Sequence, residues 1–195
     1  MSFLNHFNNF TPQAWAEIDA VGMNDETIGL PYHRPPQTSR EFFLYWMADD
    51  YSDLPLMSKA FFDLERSFWS ERKRPNLLMV HYNDLKADLS GEMKRIADFI
   101  GIETPDALWP QLVEAATFDA MKRNGGAIMA GIERLMKNGH EDFLHRGTNN
   151  RWDGVLTERD LADYEHRMNA ELSPALNRWL REGRLIAGDP RSAPD

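Results

Sequence analysis

Leu77-Leu78-Met79-Val80-His81-Tyr82-Asn83-Asp84-Leu85-Lys86-Ala87-Asp88-Leu89-Ser90-Gly91-Glu92-Met93-Lys94-Arg95-Ile96-Ala97-Asp98-Phe99-Ile100-Gly101 is the stretch that decides the fold. Four apolar residues follow the breaker pair Pro75-Asn76, and a short apolar run bounded by turn residues predicts a strand buried on both faces. Polarity begins at His81 and runs through Tyr82, Asn83 and Asp84, as at the carboxyl end of such a strand. Met93, Ile96, Ala97 and Ile100 then recur at helical spacing. Asp88 or Ser90 is the expected N-cap, and Gly101 stands where a left-handed residue stops the helix. Strand, polar loop and amphipathic helix make an α/β unit, in which ligands bind at the carboxyl ends of strands. Tyr82 to Asp84 are therefore the first place to look for a site.

Away from that stretch, composition narrows the functions. Hydrophobic residues are 42% and charged residues 27% of the 195, the balance of a globular chain with one real core. A net charge of −9 disfavours nucleic acid or an anionic membrane face as partner, so any anion site must be a local basic cluster. Cysteine is absent, which excludes disulfides and thiol catalysis and permits a reducing compartment. No apolar run approaches membrane-spanning length. The first ten residues lack the basic and apolar regions of a signal peptide, so a cytoplasmic location is expected.

Taken in order, Phe3, Leu4, Phe7 and Phe10 recur at helical spacing from the outset. Thr11-Pro12 starts a second helix carrying Trp15 and Ile18 inward, and residues 22–38 read as loop. Ser39 is the expected cap of a helix over Glu41 to Ala48, whose aromatic run calls for burial on more than one side. A helix over Met57 to Trp69 follows, and Thr104-Pro105 opens another over Asp106 to Ala115. Residues 127–142 read as helix and loop. Thr157 with Asp160 resembles a capping box for a helix faced by Leu161, Tyr164, Met168 and Leu172. Ser173-Pro174 kinks or restarts it, with Leu176, Trp179 and Leu180 inward. The domain is expected over residues 1–187, with 188–195 a disordered tail.

Motifs with chemistry of their own are scarce. No pair among the six histidines has ligand spacing, so no metal site is expected, and neither a Gly-x-Ser-x-Gly elbow nor a Walker A loop occurs. His81 reads as a structural histidine. Arg34, Lys122, Arg123, His145, Arg146 and Arg151 lie in loops and read one by one as solvated charges, while Phe118 and Met121 read as core.

Three segments together carry a resemblance. Tyr82-Asn83-Asp84-Leu85-Lys86 with Phe99-Ile100-Gly101 resembles a Tyr-Glu-Asp-Leu/Met-Lys run leading to a helix that ends Phe-hydrophobic-Gly. Ala116-Thr117-Phe118 with Met121-Lys122-Arg123-Asn124 resembles Thr-Ser-Phe-x-x-Met-Lys-x-Asn. Phe143, His145-Arg146-Gly147 and Asn150-Arg151-Trp152 resemble Phe-x-Arg-Lys-Gly-x-x-Gly-Asp-Trp-Lys. In this order and spacing they resemble the sulfotransferases that use PAPS (3′-phosphoadenosine 5′-phosphosulfate). The resemblance covers most of the chain, loosely over residues 11–70.

What the resemblance implies is a P-loop-like α/β sulfotransferase fold, present as a helix-rich C-terminal portion with few strands. It also implies sulfuryl transfer from PAPS to an acceptor hydroxyl or amine, with PAP (the desulfonated 3′,5′-ADP) as product. His145, Arg146 and Gly147 fall where the family holds the 3′-phosphate, and Ser2 aligns with a serine on the same phosphate. Phe118 falls on the aromatic that stacks on adenine, with Thr117 and Met121 beside it and Tyr82 near the base. The chain departs from the pattern where His145 stands for Arg, Asn150-Arg151 for Gly-Asp and Asp153 for Lys. The family's phosphosulfate loop, catalytic histidine and sulfuryl-stabilising lysines all precede the Ser2 position, and neither His6 nor His33 aligns with that base. No catalytic residue is therefore assigned, and these residues alone are expected to be a truncated, inactive portion that associates through exposed core surface. A non-catalytic helical interaction module and a PAP-binding regulatory subunit are the alternatives.

Overall fold

The computed structural model describes residues 2–24, 34–48 and 58–194. In chain order its helices are α1 (Ser2–Asn9), α2 (Pro12–Asn24), α3 (Ser39–Met47), α4 (Ser58–Ser70), α5 (Tyr82–Ala87), α6 (Leu89–Ile100) and α7 (Trp109–Ala115). Then follow α8 (Phe118–Arg123), α9 (Gly125–Ile128), α10 (His140–Phe143), α11 (Glu158–Glu171), α12 (Pro174–Glu182) and α13 (Arg184–Ala187). The chain forms two compact units, Met1–Ser58 with Phe118–Leu161 and Lys59–Thr117 with Ala162–Asp195. Each is assembled from two separated stretches, a division that no shift in composition marks.

Helix ends follow side-chain chemistry. Thr11 Oγ1 accepts the Ala14 N–H, Asp88 accepts that of Gly91, and Gly101 ends α6 in the left-handed conformation (φ 71°). The capping box is reciprocal even with the shorter acid: Asp160 N–H donates to Thr157 Oγ1, and Thr157 N–H donates to the Asp160 carboxylate. Ser173 caps α12, so the chain restarts there. Two expected caps are corrected. Thr38 rather than Ser39 caps α3, because its hydroxyl lies three residues before the Glu41 N–H. Thr104 caps nothing; Pro105 leads into a 3₁₀ turn at Asp106–Leu108 before α7. The helix and loop expected over 127–142 are the end of α9, a 3₁₀ turn at Ile132–Arg134, and α10 with loop between them. Most of the expected 22–38 loop, including His33, lies outside the described residues, as does Met57.

Leu77–Val80 is not a strand. Among the described residues no ladder forms, and one isolated antiparallel bridge joins Phe10 to Met136. Residues 77–80 are half-buried rather than sealed on both faces. A parallel strand needs neighbours for its backbone groups. Here the Leu77 carbonyl accepts from Arg191 and the Met79 carbonyl from Arg95. An open cavity of about 400 Å³ borders the run, lined by Phe68, Trp179 and Leu180 among others.

In the first unit Leu4, Ala14, Phe42, Ala120 and Met136 are buried, under an aromatic cluster of Phe7, Phe10, Trp15 and Phe42 with ring centroids 5.3–6.1 Å apart. Of the run Phe42–Met47 only Phe42 is fully buried, while Phe43, Tyr45, Trp46 and Met47 are half-buried and Leu44 is 38% exposed. In the second unit Phe62, Trp69, Met168, Leu172, Leu176 and Trp179 make the core.

Buried charge marks the second unit. Arg72 donates to the carbonyls of Trp69, Pro190 and Ala193, and Pro190 is itself buried in a 3₁₀ turn at Pro190–Ser192. The tail expected to be disordered is therefore packed, because a buried guanidinium needs the acceptors it provides. Asp84 accepts the first N–H groups of α13, from Arg184 at 2.7 Å and Leu185 at 3.1 Å. Gly183 lies so close that a methyl group there would come within 2.6 Å of that carboxylate. Glu92, 1% exposed, accepts from both Arg95 and Arg184.

Candidate functional site

Helix α8 puts Phe118, Met121 and Lys122 at i, i+3 and i+4, hence on one face, while Ala120 turns into the core. The loop after α10 is fastened to that face at two points. Gly147 lies against the half-buried Phe118 ring, and the Lys122 ammonium donates to the His145 carbonyl at 3.1 Å. Gly147 has φ 60°, and a methyl group on it would come within 2.8 Å of the Phe118 ring. Both backbone conformation and close approach thus require glycine. Asn150, where the resemblance has a glycine, also takes the left-handed conformation (φ 56°), which Asn tolerates better than most residues.

The helix that Ser2 opens packs on the helix leading into this loop. Asn5 Nδ2 donates to the Asp142 carbonyl at 2.8 Å, and His6 stacks on Phe143 with centroids 4.9 Å apart. Two segments assigned to one phosphate are thereby neighbours at the level of their helices. The side chain of Ser2 lies outside the described part.

Electrostatics sets this corner apart. The His145 ring is partly buried among Arg146, Arg151 and Lys122, with Asp142 the opposing carboxylate. Burial first, and then those three cations, hold its imidazole below the usual histidine range. Among the described residues neither Arg146 nor Arg151 has a hydrogen-bonding or ion-pair partner. Several arginines elsewhere find carboxylates: Arg34 with Asp19, Arg40 with Asp160, Arg66 with Glu171, Arg178 with Glu182 and Arg181 with Glu165. On a chain of net charge −9, uncompensated guanidiniums beside a glycine turn have the chemistry to attract an anion.

The remaining predicted residues are placed as follows. Thr117 belongs to the second unit, where its hydroxyl donates to the Glu114 carbonyl and finishes α7. Tyr82 also belongs to that unit, 51% exposed at the start of α5, with the Lys86 ammonium 5.9 Å from its ring centroid. Met121 is half-buried. The search at Tyr82 to Asp84 finds structure at its far end, since Asp84 is a buried cap for α13. His81 is structural too: its Nδ1 accepts the Asn83 N–H, and its Nε2 lies 3.0 Å from the Leu180 carbonyl to which it donates in that tautomer. Lys122 and Arg151, read singly as solvated charges, join the basic cluster. The signal for Lys122 was its i+4 spacing from Phe118; for Arg151 there was none.

Two cavities of about 510 and 540 Å³ lie in the second unit and share Lys94, Asp106 and Trp109. Asp98, Glu103 and Glu114 also line them, so they repel an anionic ligand and carry none of the predicted residues. Among the described residues no group of His, Cys, Asp and Glu could hold a metal ion, and no helix is long and apolar enough to cross a membrane.

Comparison with known proteins agrees with this architecture. The model of the sulfotransferase domain matches residues 2–182. The chain belongs to the sulfotransferase family. Among its relatives, a glycolipid sulfotransferase of Mycobacterium bovis is 34% identical over 116 residues, covering 60% of this chain and 36% of that protein. Sulfotransferase 1 family member D1 of Mus musculus is 26% identical over 134 residues, covering 68% of this chain and 43% of that protein. The structure of mouse sulfotransferase SULT7A1 complexed with PAP superposes with a TM-score of 0.60 at 19% identity, covering 75% of this chain and 52% of that one, which shows a shared fold. The chain thus spans about two fifths of the length of these relatives and half that of the solved structure.

Proposed function

We propose that the Phe118–Gly147 corner holds the 3′-phosphate and adenosine of PAPS or PAP, and that the family reaction is sulfuryl transfer to an acceptor hydroxyl or amine. The observation that carries this is the set of uncompensated cations, Arg146 and Arg151 with Lys122 behind them, gathered at a left-handed glycine on an aromatic ring. Arg146 suits a phosphate because its guanidinium donates in a planar fork. Gly147 lets backbone N–H groups approach, and Phe118 offers apolar surface to a purine. Ser2, Met121 and His145 complete the assignment by resemblance. PAPS, when bound, supplies the sulfuryl group; these residues bind and orient its nucleotide half. They include no counterpart of the family's base or phosphosulfate loop, so the 195 residues alone bind without transferring.

Calorimetric titration of the 195-residue chain with PAP tests this. Saturable binding, with sulfuryl transfer from PAPS at background, is the expected result. Turnover dependent on His6, His33 or His81 would overturn the division between binding and chemistry. Absence of PAP binding would leave the non-catalytic helical interaction module.

A further inference from the structure

Leu77–Val80 presents one open edge. In an extended chain the N–H and C=O of a residue point to one side and those of the next residue to the other. The run has neither helix nor turn, and His81 after it is extended (φ −113°, ψ 138°). Its two sides differ. On one side the Leu77 N–H donates to the Arg74 carbonyl, and the Leu77 and Met79 carbonyls accept from Arg191 and Arg95. On the other, among the described residues, neither the N–H nor the C=O of Leu78 or Val80 has a partner. The cavity along the run is open and largely apolar, with Phe68, Trp179 and Leu180 in its wall. Phe68 and Tyr82 are exposed beside it, and Leu64 is exposed on the Phe68 face of α4.

An edge with unpaired donors and acceptors is a template for another strand, and its own pattern says which. Reversed about a two-fold axis at Met79, the run sets Leu78 opposite Val80 of a second copy. Two residues so paired exchange both N–H···O=C bonds. The two such pairs form together, so every unpaired group of Leu78 and Val80 is satisfied in each copy. Charge agrees with that direction. The run starts just after the exposed Lys73 and Arg74. Glu65, without an ion-pair partner among the described residues, lines the cavity within electrostatic reach of His81 at the other end. Antiparallel pairing carries the basic end of one copy to the acidic end of the other. We propose that the Leu78/Val80 edge pairs with the same edge of a second copy, closing a symmetric dimer. The contact uses the same surface on both chains, so it stops at two. It lies in the second unit and does not depend on the nucleotide reading, which rests on the first.

Sedimentation of the full 195-residue chain over a wide range of concentration is the first test, and a monomer–dimer equilibrium without larger species is expected. Amide hydrogen exchange of the same wild-type chain then locates the contact without any variant. The Leu78 and Val80 amides are expected to slow as the dimer forms, and the Met79 amide, on the other side of the run, to stay as it is. Register is read by a cysteine, since the chain has none of its own. The two-fold axis sets the Cα of Met79→Cys about 4.5 Å from its mate, inside the range a disulfide spans. Oxidation with diamide is expected to link that variant into a covalent dimer. Leu77→Cys, offset from its mate by four residues or about 13 Å, is expected to stay unlinked. A chain that is monomeric at every concentration overturns the inference, as does association that continues past two chains. A dimer whose Leu78 and Val80 amides exchange as fast as the monomer's places the contact elsewhere and overturns it too. A monomer with both amides already protected means that another part of the chain covers the edge, with the same consequence.

Discussion

Around Glu92 the guanidiniums of Arg95 and Arg184 both end on a buried carboxylate, whereas around Gly147 those of Arg146 and Arg151 end on none. The first arrangement is closed. Glu92 and Asp84 tie α5, α6 and α13 into the second unit, and the Arg184 Nε–H is the buried exception without a partner. The second is open, with positive charge held at the surface by a glycine turn packed on Phe118. The difference teaches where to look for binding in a chain with many charges. Cations that meet carboxylates or carbonyls hold the protein together, and Arg146 and Arg151 meet neither among the described residues.

Breaking the closed arrangement is expected to have the largest effect. Glu92→Ala leaves two partly buried guanidiniums without their acceptor and is expected to cost about 3–5 kcal/mol of stability, read as a lowered midpoint in urea unfolding. An unchanged midpoint would mean that the Glu92 cluster does not stabilise the fold. Next comes the open arrangement. Arg146→Ala is expected to weaken PAP binding by about 1.5–3 kcal/mol, the scale of hydrogen bonds to charged groups, while leaving stability within about 0.5 kcal/mol. An unchanged affinity would remove Arg146 from the site; a large loss of stability would erase the distinction between the two regions.

Gly147→Ala comes next, since it strains the turn and displaces Phe118. Its expected cost is about 1–2 kcal/mol, read in both thermal unfolding and PAP affinity. A substitution that moves neither would show that the loop tolerates a side chain where the geometry leaves no room.

The smallest effect is expected in acid. Burial raises the Glu92 carboxyl, but hydrogen bonds from Arg95 and Arg184 outweigh it and hold it below the ordinary value. Asp160 is held lower still, first by Arg40 and then by the Thr157 N–H. Carboxylates depressed in the folded state contribute stability above their unfolded pKa, near 4. That contribution is lost as pH falls through the folded values. The melting temperature is accordingly expected to be level above about pH 5 and to fall below pH 4, less steeply in Asp160→Asn. A flat acid profile for wild type would contradict both ion pairs.

Much of the helical framework was legible locally because caps and periodicity act within a few residues. Thr11, Asp88, Gly101, Ser173 and the Thr157/Asp160 box do in the fold what their positions announce. The site was legible in part. Phe118, Arg146 and Gly147 stood out only through resemblance, because taken alone an aromatic in a helix reads as core and an arginine in a loop reads as solvated. The misreadings share a cause. Leu77–Val80 has a strand's composition, but strand formation depends on a neighbour's backbone, which no local pattern specifies.

By itself, then, the sequence determined where helices begin and stop, that anion binding would have to be local on an acidic chain, and which short segments resemble those of a sulfotransferase. Only the tertiary structure decided which charges are spent within the fold. Asp84 meets backbone a hundred residues away and Arg72 meets the tail, whereas Lys122 meets His145 and leaves Arg146 and Arg151 unmatched. The physical reason is range. A cap or an amphipathic face is settled by neighbours three or four positions along the chain, but whether a charge is neutralised depends on what packing brings within a few ångströms of it.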